Sequence, residues 1–203
     1  METTLKRDYE TFINAARTEL TGFPDNMDAA SIERAALLIH EAKRAGNRVH
    51  VSGVGKPGHI AGYIASLLSS TGTPAYFLHA TEAVHGSCGQ LVPGDIVIFI
   101  SNSGETDEMR VTVNAIKNNG CKVIGVTGNA QSWLARQSDI HLLASVQAEG
   151  GPLNRAPRIS ILAETIVLQA VSVMLQSLEG VTPAQYVKWH PGGALGRLRE
   201  NEK

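Results

Sequence analysis

Five short runs along the chain are rich in strand-forming residues: "NRVHVS" (47–52), "PAYFLH" (74–79), "DIVIFI" (95–100), "CKVIGV" (121–126) and, more weakly, "DIHLLA" (139–144). Several are continuous rather than alternating, which is the pattern of strands covered by helices on both faces. The stretches between them have helical spacing. "DAASIERAALLIHEAKRAG" (28–46) starts at Asp28 and Ser31, repeats apolar residues at Ile32, Ala35, Ala36 and Ile39, and stops at Gly46. "RISILAETIVLQAVSVMLQSLEG" (158–180) is apolar on most sides, broken mainly by Glu164 and Gln169, which predicts burial between layers or subunits. Strands alternating with helices imply right-handed crossovers and a doubly wound α/β fold around a five-stranded parallel sheet. Ligands of such sheets sit outside the carboxyl ends of the strands, so the loops after strands are where chemistry is expected.

Composition narrows the class. A chain of 203 residues can bury one core without disulfide or metal staples. Its 18 basic and 19 acidic residues leave a net charge of −1, which offers no global attraction to nucleic acid or an anionic membrane. Any anion site must be local. Cys88 and Cys121 form neither a CxxC pair nor a metal spacing, which fits two ordinary thiols in a reducing compartment. "METTLKRDYE" at the start carries no apolar leader core, and no uninterrupted apolar run approaches the roughly 18 residues of a membrane span. The expectation is a soluble cytoplasmic protein of one domain, with "RLRENEK" as a charged tail.

After the first strand comes "SGVGKPGHI" (52–60), in which Gly53, Gly55 and Gly58 match the dinucleotide pattern GxGxxG. The acid that would hold a ribose after the next strand is absent, since that strand ends at His79, and this argues against a dinucleotide. The glycines also permit a tight strand–helix turn. That reading leaves Lys56 unexplained, an ammonium at a glycine-lined strand end suited to an anion or a developing oxyanion.

After the third strand, "ISNSGETDE" (100–108) sets Ser101, Ser103 and Thr106 beside Gly104 and the N–H groups of the next helix, an arrangement suited to phosphate. Plain capping is the alternative, because Ser103 or Thr106 can serve as N-cap and Asp107 and Glu108 suit a first turn. "HATEAVHGSCGQ" adds His79, Glu82 and His85, and further loops add Glu149 and His190. His79, Glu82 and His85 spread over about 120° of a helix, a poor match to a zinc site. His40, His50, His59 and His141 read as packed or solvated.

Four blocks, "GVGKPGHIA", "STGTPAYFLHATEAVHG", "SNSGETDE" and "HPGGALGR", resemble the sugar isomerase (SIS) domain family and, within it, the arabinose 5-phosphate isomerases, over about residues 30 to 198. The resemblance implies a three-layer αβα sandwich binding a phosphosugar. It places Ser52, Gly53, Ser101, Asn102, Ser103, Gly104 and Thr106 around the phosphate. It also implies a catalytic set of Lys56, His85, Glu108, Glu149 and His190, an aldose–ketose isomerisation through an enediol, and no metal or organic cofactor. A homo-oligomer, dimer or tetramer, is implied too, with His190 reaching into a neighbour's crevice beside Lys56.

Three departures from the family pattern stand out. Ser87 replaces the usual Asp, "GGPLNRAPRIS" (150–160) replaces a Ser/Thr-rich run and brings Arg155 and Arg158, and no room exists for paired CBS domains. The rival readings are a phosphosugar-binding module without catalysis and an isomerase of a different sugar phosphate. The first has no need for the five-residue set. The second is kept open by Arg155 and Arg158, which suit a second anionic substituent.

Overall fold

The structure, a computed structural model, describes residues 2–202. The five apolar runs form strands β1 (Val49–Gly53), β2 (Ala75–Phe77), β3 (Ile96–Ile100), β4 (Lys122–Thr127) and β5 (Ile140–Leu143). They pair in parallel in the order β2-β1-β3-β4-β5. The helices are α1 (Glu2–Thr21), α2 (Ala29–Arg44), α3 (Lys56–Ser70), α4 (Ala80–Ala83), α5 (Asp107–Asn118), α6 (Trp133–Gln137), α7 (Ile159–Glu179) and α8 (Pro183–Trp189).

Period-two alternation along the central strand divides the core. Ile96, Ile98 and Ile100 pack with α2, α3 and α7 on one face, while Val97 and Phe99 pack with Met109, Val113 and Ile116 of α5 and Leu134 of α6 on the other. The result is the three-layer αβα sandwich. Asp28 caps α2 by accepting from the N–H groups of Ala30 and Ser31, the helix start its sequence signals.

By length and hydropathy α7 matches a membrane span, a candidate that the criterion of an uninterrupted apolar run excludes because Glu164 breaks it. Half of its most apolar window is buried inside the molecule, where it packs on α2 and α3 as a core helix does. Its outer side leaves Leu162, Val173 and Leu178 exposed, beside Leu37 of α2.

From β1 the chain runs outward to β2, then returns across β1 to β3. The strand order reverses there, so the carboxyl ends of β1 and β3 diverge into a crevice. Gly53 ends β1 against Ile100, and a Cβ on Gly53 would lie 2.9 Å from the Pro57 carbonyl carbon. The close approach of α3 to the strand therefore depends on glycine.

Candidate active site

A hollow of about 270 Å³ opens at this crevice. Ser101, Asn102, Ser103 and Thr106 line it from the β3 loop, Val54 and Pro57 from the β1 loop, and Glu149, Arg155 and Glu164 from beyond β5 and α7. A second hollow of about 310 Å³, which shares Val54, is lined by Gly53, Gly55, Gly58, His59, Phe77 and His79. The loops after β1, β3 and β5 thus meet in one hollow, and the loop after β2 borders its neighbour. The first hollow falls just below the roughly 300–1,000 Å³ of ordinary ligand pockets, a size for a small molecule.

The β3 loop leaves the start of α5 without a side-chain cap. Thr106 occupies the N-cap position of α5, yet its side chain makes no capping bond. The Ser103 hydroxyl accepts from the Glu105 N–H at 3.3 Å and the Ser101 hydroxyl from the Gly104 N–H at 3.2 Å, which folds the loop back without capping the helix. The first-turn N–H groups of α5, with the helix dipole behind them, therefore receive no side-chain cap from Thr106, which lines the hollow. Gly104 itself faces α6: at φ +63° its missing Cβ leaves room for the Ser132 hydroxyl. The carboxylate that would most oppose an anion is turned away, because Glu105 accepts from the Trp133 N–H at 2.8 Å and pairs with Arg110. That backbone bond, then Arg110, holds the Glu105 carboxyl below its usual range.

Glu149 has a structural duty. One of its oxygens accepts from the N–H groups of Arg158 at 2.6 Å, Ile159 at 2.7 Å and Ser160 at 3.2 Å, and the other accepts from the Ser160 hydroxyl. It caps α7 from nine residues upstream of Arg158. Burial alone would raise its carboxyl, but the Ser160 and backbone bonds together outweigh that and hold it below the usual carboxylate range.

Lys56 opens α3 between Gly55 and Pro57, and Glu108 lies in the first turn of α5; both are exposed, and neither lines the hollow. His85 is also exposed, just past α4. Ser52 lies buried beneath the loops, its hydroxyl unpartnered among the described residues. The chain's own His190 is not brought to the hollow. It ends α8, whose Trp189 packs over Gly72 beyond the far end of α3. The fifteen residues of α3 separate that end from Lys56, a span of about 22 Å at 1.5 Å per residue. The His190 ring stacks on Tyr186 at 4.0 Å and its Nδ1 donates to the Tyr186 carbonyl at 2.8 Å, which leaves Nε2 as the basic nitrogen.

Other histidines are accounted for locally. His79 caps α4 by accepting from the Glu82 N–H, His50 bonds Asp95, His141 bonds Thr127 and His40 bonds Glu179. Arg158 lays its guanidinium over Gly151, so of the two added arginines Arg155 is the one lining the hollow. Sequence reasoning missed Glu164 and the apolar walls of Phe99, Met109 and Ile161. A carboxylate inside an apolar helix was the available signal for the first.

Together, the parallel sheet, the switch-point crevice and the uncapped hydroxyl loop define a doubly wound α/β domain with a polar hollow at its switch point. The chain belongs to the SIS domain family, whose profile matches residues 43–174. It is 43% identical over 150 residues to arabinose 5-phosphate isomerase KdsD of Pseudomonas aeruginosa, covering 74% of this chain and 46% of that one. The chain spans about half the length of the curated relatives it matches. Among solved structures, an Escherichia coli protein in complex with arabinose 5-phosphate superposes with a TM-score of 0.76 at 33% identity, covering 93% of this chain and 96% of that one. A candidate sugar-phosphate isomerase of Listeria monocytogenes superposes with a TM-score of 0.85 at 28% identity, covering 95% of this chain and 99% of that one.

Proposed function

We propose that the protein interconverts D-arabinose 5-phosphate and D-ribulose 5-phosphate. The observation that carries this reading is the hollow itself, which gathers the Ser101, Ser103 and Thr106 hydroxyls of the β3 loop with Arg155 and the carboxyl groups of Glu149 and Glu164. The relatives named above, and the neighbour solved with the aldose phosphate, support the choice of substrate.

In this account the phosphate docks on Ser101, Ser103 and Thr106 and on the first-turn N–H groups of α5. Isomerisation removes the proton at C2 and returns one at C1, so it needs a base and a group to stabilise the oxyanion of the enediol. Glu149 is tied to the start of α7 by four hydrogen bonds. Glu108 has no such duty among the described residues, and it is the base. Lys56 stabilises the oxyanion. The histidines His85 and His190 open the sugar ring and relay protons, His190 from a neighbouring subunit, because its own crevice lies the length of α3 away.

The assembly is a homo-oligomer, a reading supported by the apolar strip of Leu37, Met174 and Leu178 along α2 and α7, which lines a hollow of about 460 Å³. The chemistry calls for no metal. Incubation with arabinose 5-phosphate in chelator-treated buffer, followed by detection of ketose, tests the reading. Conversion is the expected result. Tight binding without conversion would make the chain a phosphosugar-binding module instead.

A further inference from the structure

Glu164 lies in the second turn of α7, one turn past Ile161, and the two share the wall of the 270 Å³ hollow. The residue is 0% exposed, and among the described residues neither of its carboxylate oxygens meets a hydrogen-bond donor. A buried, unpaired carboxylate costs several kcal/mol, so such a group keeps its proton or finds a partner. Burial, with the Glu149 carboxylate nearby, pushes the Glu164 carboxyl up to about 8. At neutral pH it is therefore a carboxylic acid with one O–H to donate and a carbonyl to accept.

The surroundings decide what that acid is for. Val54, Pro57, Phe99, Met109 and Ile161 offer it nothing to bond, and the hydroxyls of the β3 loop face the hollow as a separate group. Glu149 is engaged with α7. Arg155 also lines the hollow, as a cation, whereas Glu164 is a neutral donor, suited to a molecule that carries an anion at one end and hydroxyl or carbonyl oxygens along its chain.

We propose that Glu164 is a substrate-contacting residue of this site, donating a hydrogen bond to an oxygen on the carbon chain of the bound sugar phosphate. This rests on the reading of the hollow as a phosphosugar site. It adds a residue outside the five that the family resemblance supplies, and it gives the hollow a polarity: phosphate at the β3 loop, sugar oxygens toward α7.

Calorimetric titration with arabinose 5-phosphate and, separately, with inorganic phosphate tests this on the wild type, Glu164→Gln and Glu164→Leu. Gln keeps a donor and an acceptor in the same shape, and Leu keeps the volume without either. Leu suits a buried apolar wall, so the fold is retained, and a thermal melt verifies it. The sugar phosphate is expected to bind about five- to tenfold more weakly to the Leu variant, the worth of one hydrogen bond, and within about twofold of wild type to the Gln variant. Inorganic phosphate should bind all three alike. Unchanged sugar-phosphate affinity in the Leu variant, or equal loss of both ligands, overturns the proposal. Wild-type turnover measured in parallel separates it from the isomerase reading, since an inactive protein that still shows the Leu-specific loss retains the contact and loses the enzyme.

Discussion

Replacing Glu164 by Gln should change how stability depends on pH, and the size of the change follows from the burial of this one side chain. In the unfolded chain the carboxyl titrates near its ordinary 4.5, whereas in the folded protein it titrates near 8. Between those values the folded state holds a proton that the unfolded state has released. Stability therefore falls as pH rises through the window, by up to about 1.4 kcal/mol per unit, and flattens above it. Across the whole window the loss is on the order of 3–5 kcal/mol.

Other groups titrate too; those that do not interact with Glu164 cancel in the difference between the two proteins, and Glu149, which does, has its carboxyl held below the ordinary range and so outside this window. The depressed carboxyls of Asp28, Asp95, Glu105, Glu149 and Glu179 withdraw their stability at acid pH, as it falls below the ordinary carboxylate range. His50 and His141 are lowered by burial, so theirs is lost as pH drops below the ordinary 6.5. Urea unfolding of wild type and Glu164→Gln at half-unit steps from pH 5 to 8.5, at one protein concentration, measures the difference directly. The gap should shift in favour of the Gln variant by several kcal/mol as pH rises. A constant gap across the window would show that Glu164 is ionised in the folded protein, and the reasoning from its burial would fail.

Three further outcomes follow from the site. Glu149→Ala should lose about 1–2 kcal/mol of stability, the worth of a helix cap, whereas Glu108→Gln should lose turnover while keeping its melting temperature and its affinity for the sugar phosphate; equal melting losses would erase the distinction between cap and base. Gly104→Ala would force a side chain onto φ +63° and into the Ser132 hydroxyl, so a loss of at least about 1 kcal/mol in melts and a weaker phosphate titration are expected, and a silent substitution would contradict the loop geometry. Lys56→Ala and His190→Ala, each nearly inactive alone, should recover about a quarter of wild-type activity when dissociated and reassembled together, and no recovery from verified mixed oligomers would place both groups in one subunit's site.

The centre of the sheet was legible because β1, β3 and β4 are buried on both faces and carry no helical period, whereas the edge strands β2 and β5 are partly exposed and gave weaker signals. The strand-end loops were legible for the same reason, since strand ends locate them. α1 was not, because its start mixes acids and bases; Phe12, Ile13, Ala16 and Leu20 repeat at helical spacing and are half-buried, and Phe12 and Ala15 pack against Gly150. α8 carries a capping box at Thr182 and Gln185, a local signal that the sequence reading did not use. Glu164 was visible as a break in an apolar helix, but whether such a break faces water or a hollow depends on where residues 149 to 158 fold, which no local pattern specifies. The division of labour between Glu108 and Glu149 was illegible likewise, since capping of α7 from a distance is a tertiary contact.

The measurement closest to the central claim is an incubation with arabinose 5-phosphate in deuterated water, followed by NMR. An enediol route through a protein base predicts ribulose 5-phosphate as product and deuterium at C2 of the recovered aldose, both abolished in Glu108→Gln while binding persists. Binding of the aldose phosphate with neither conversion nor exchange at C2 would contradict the account.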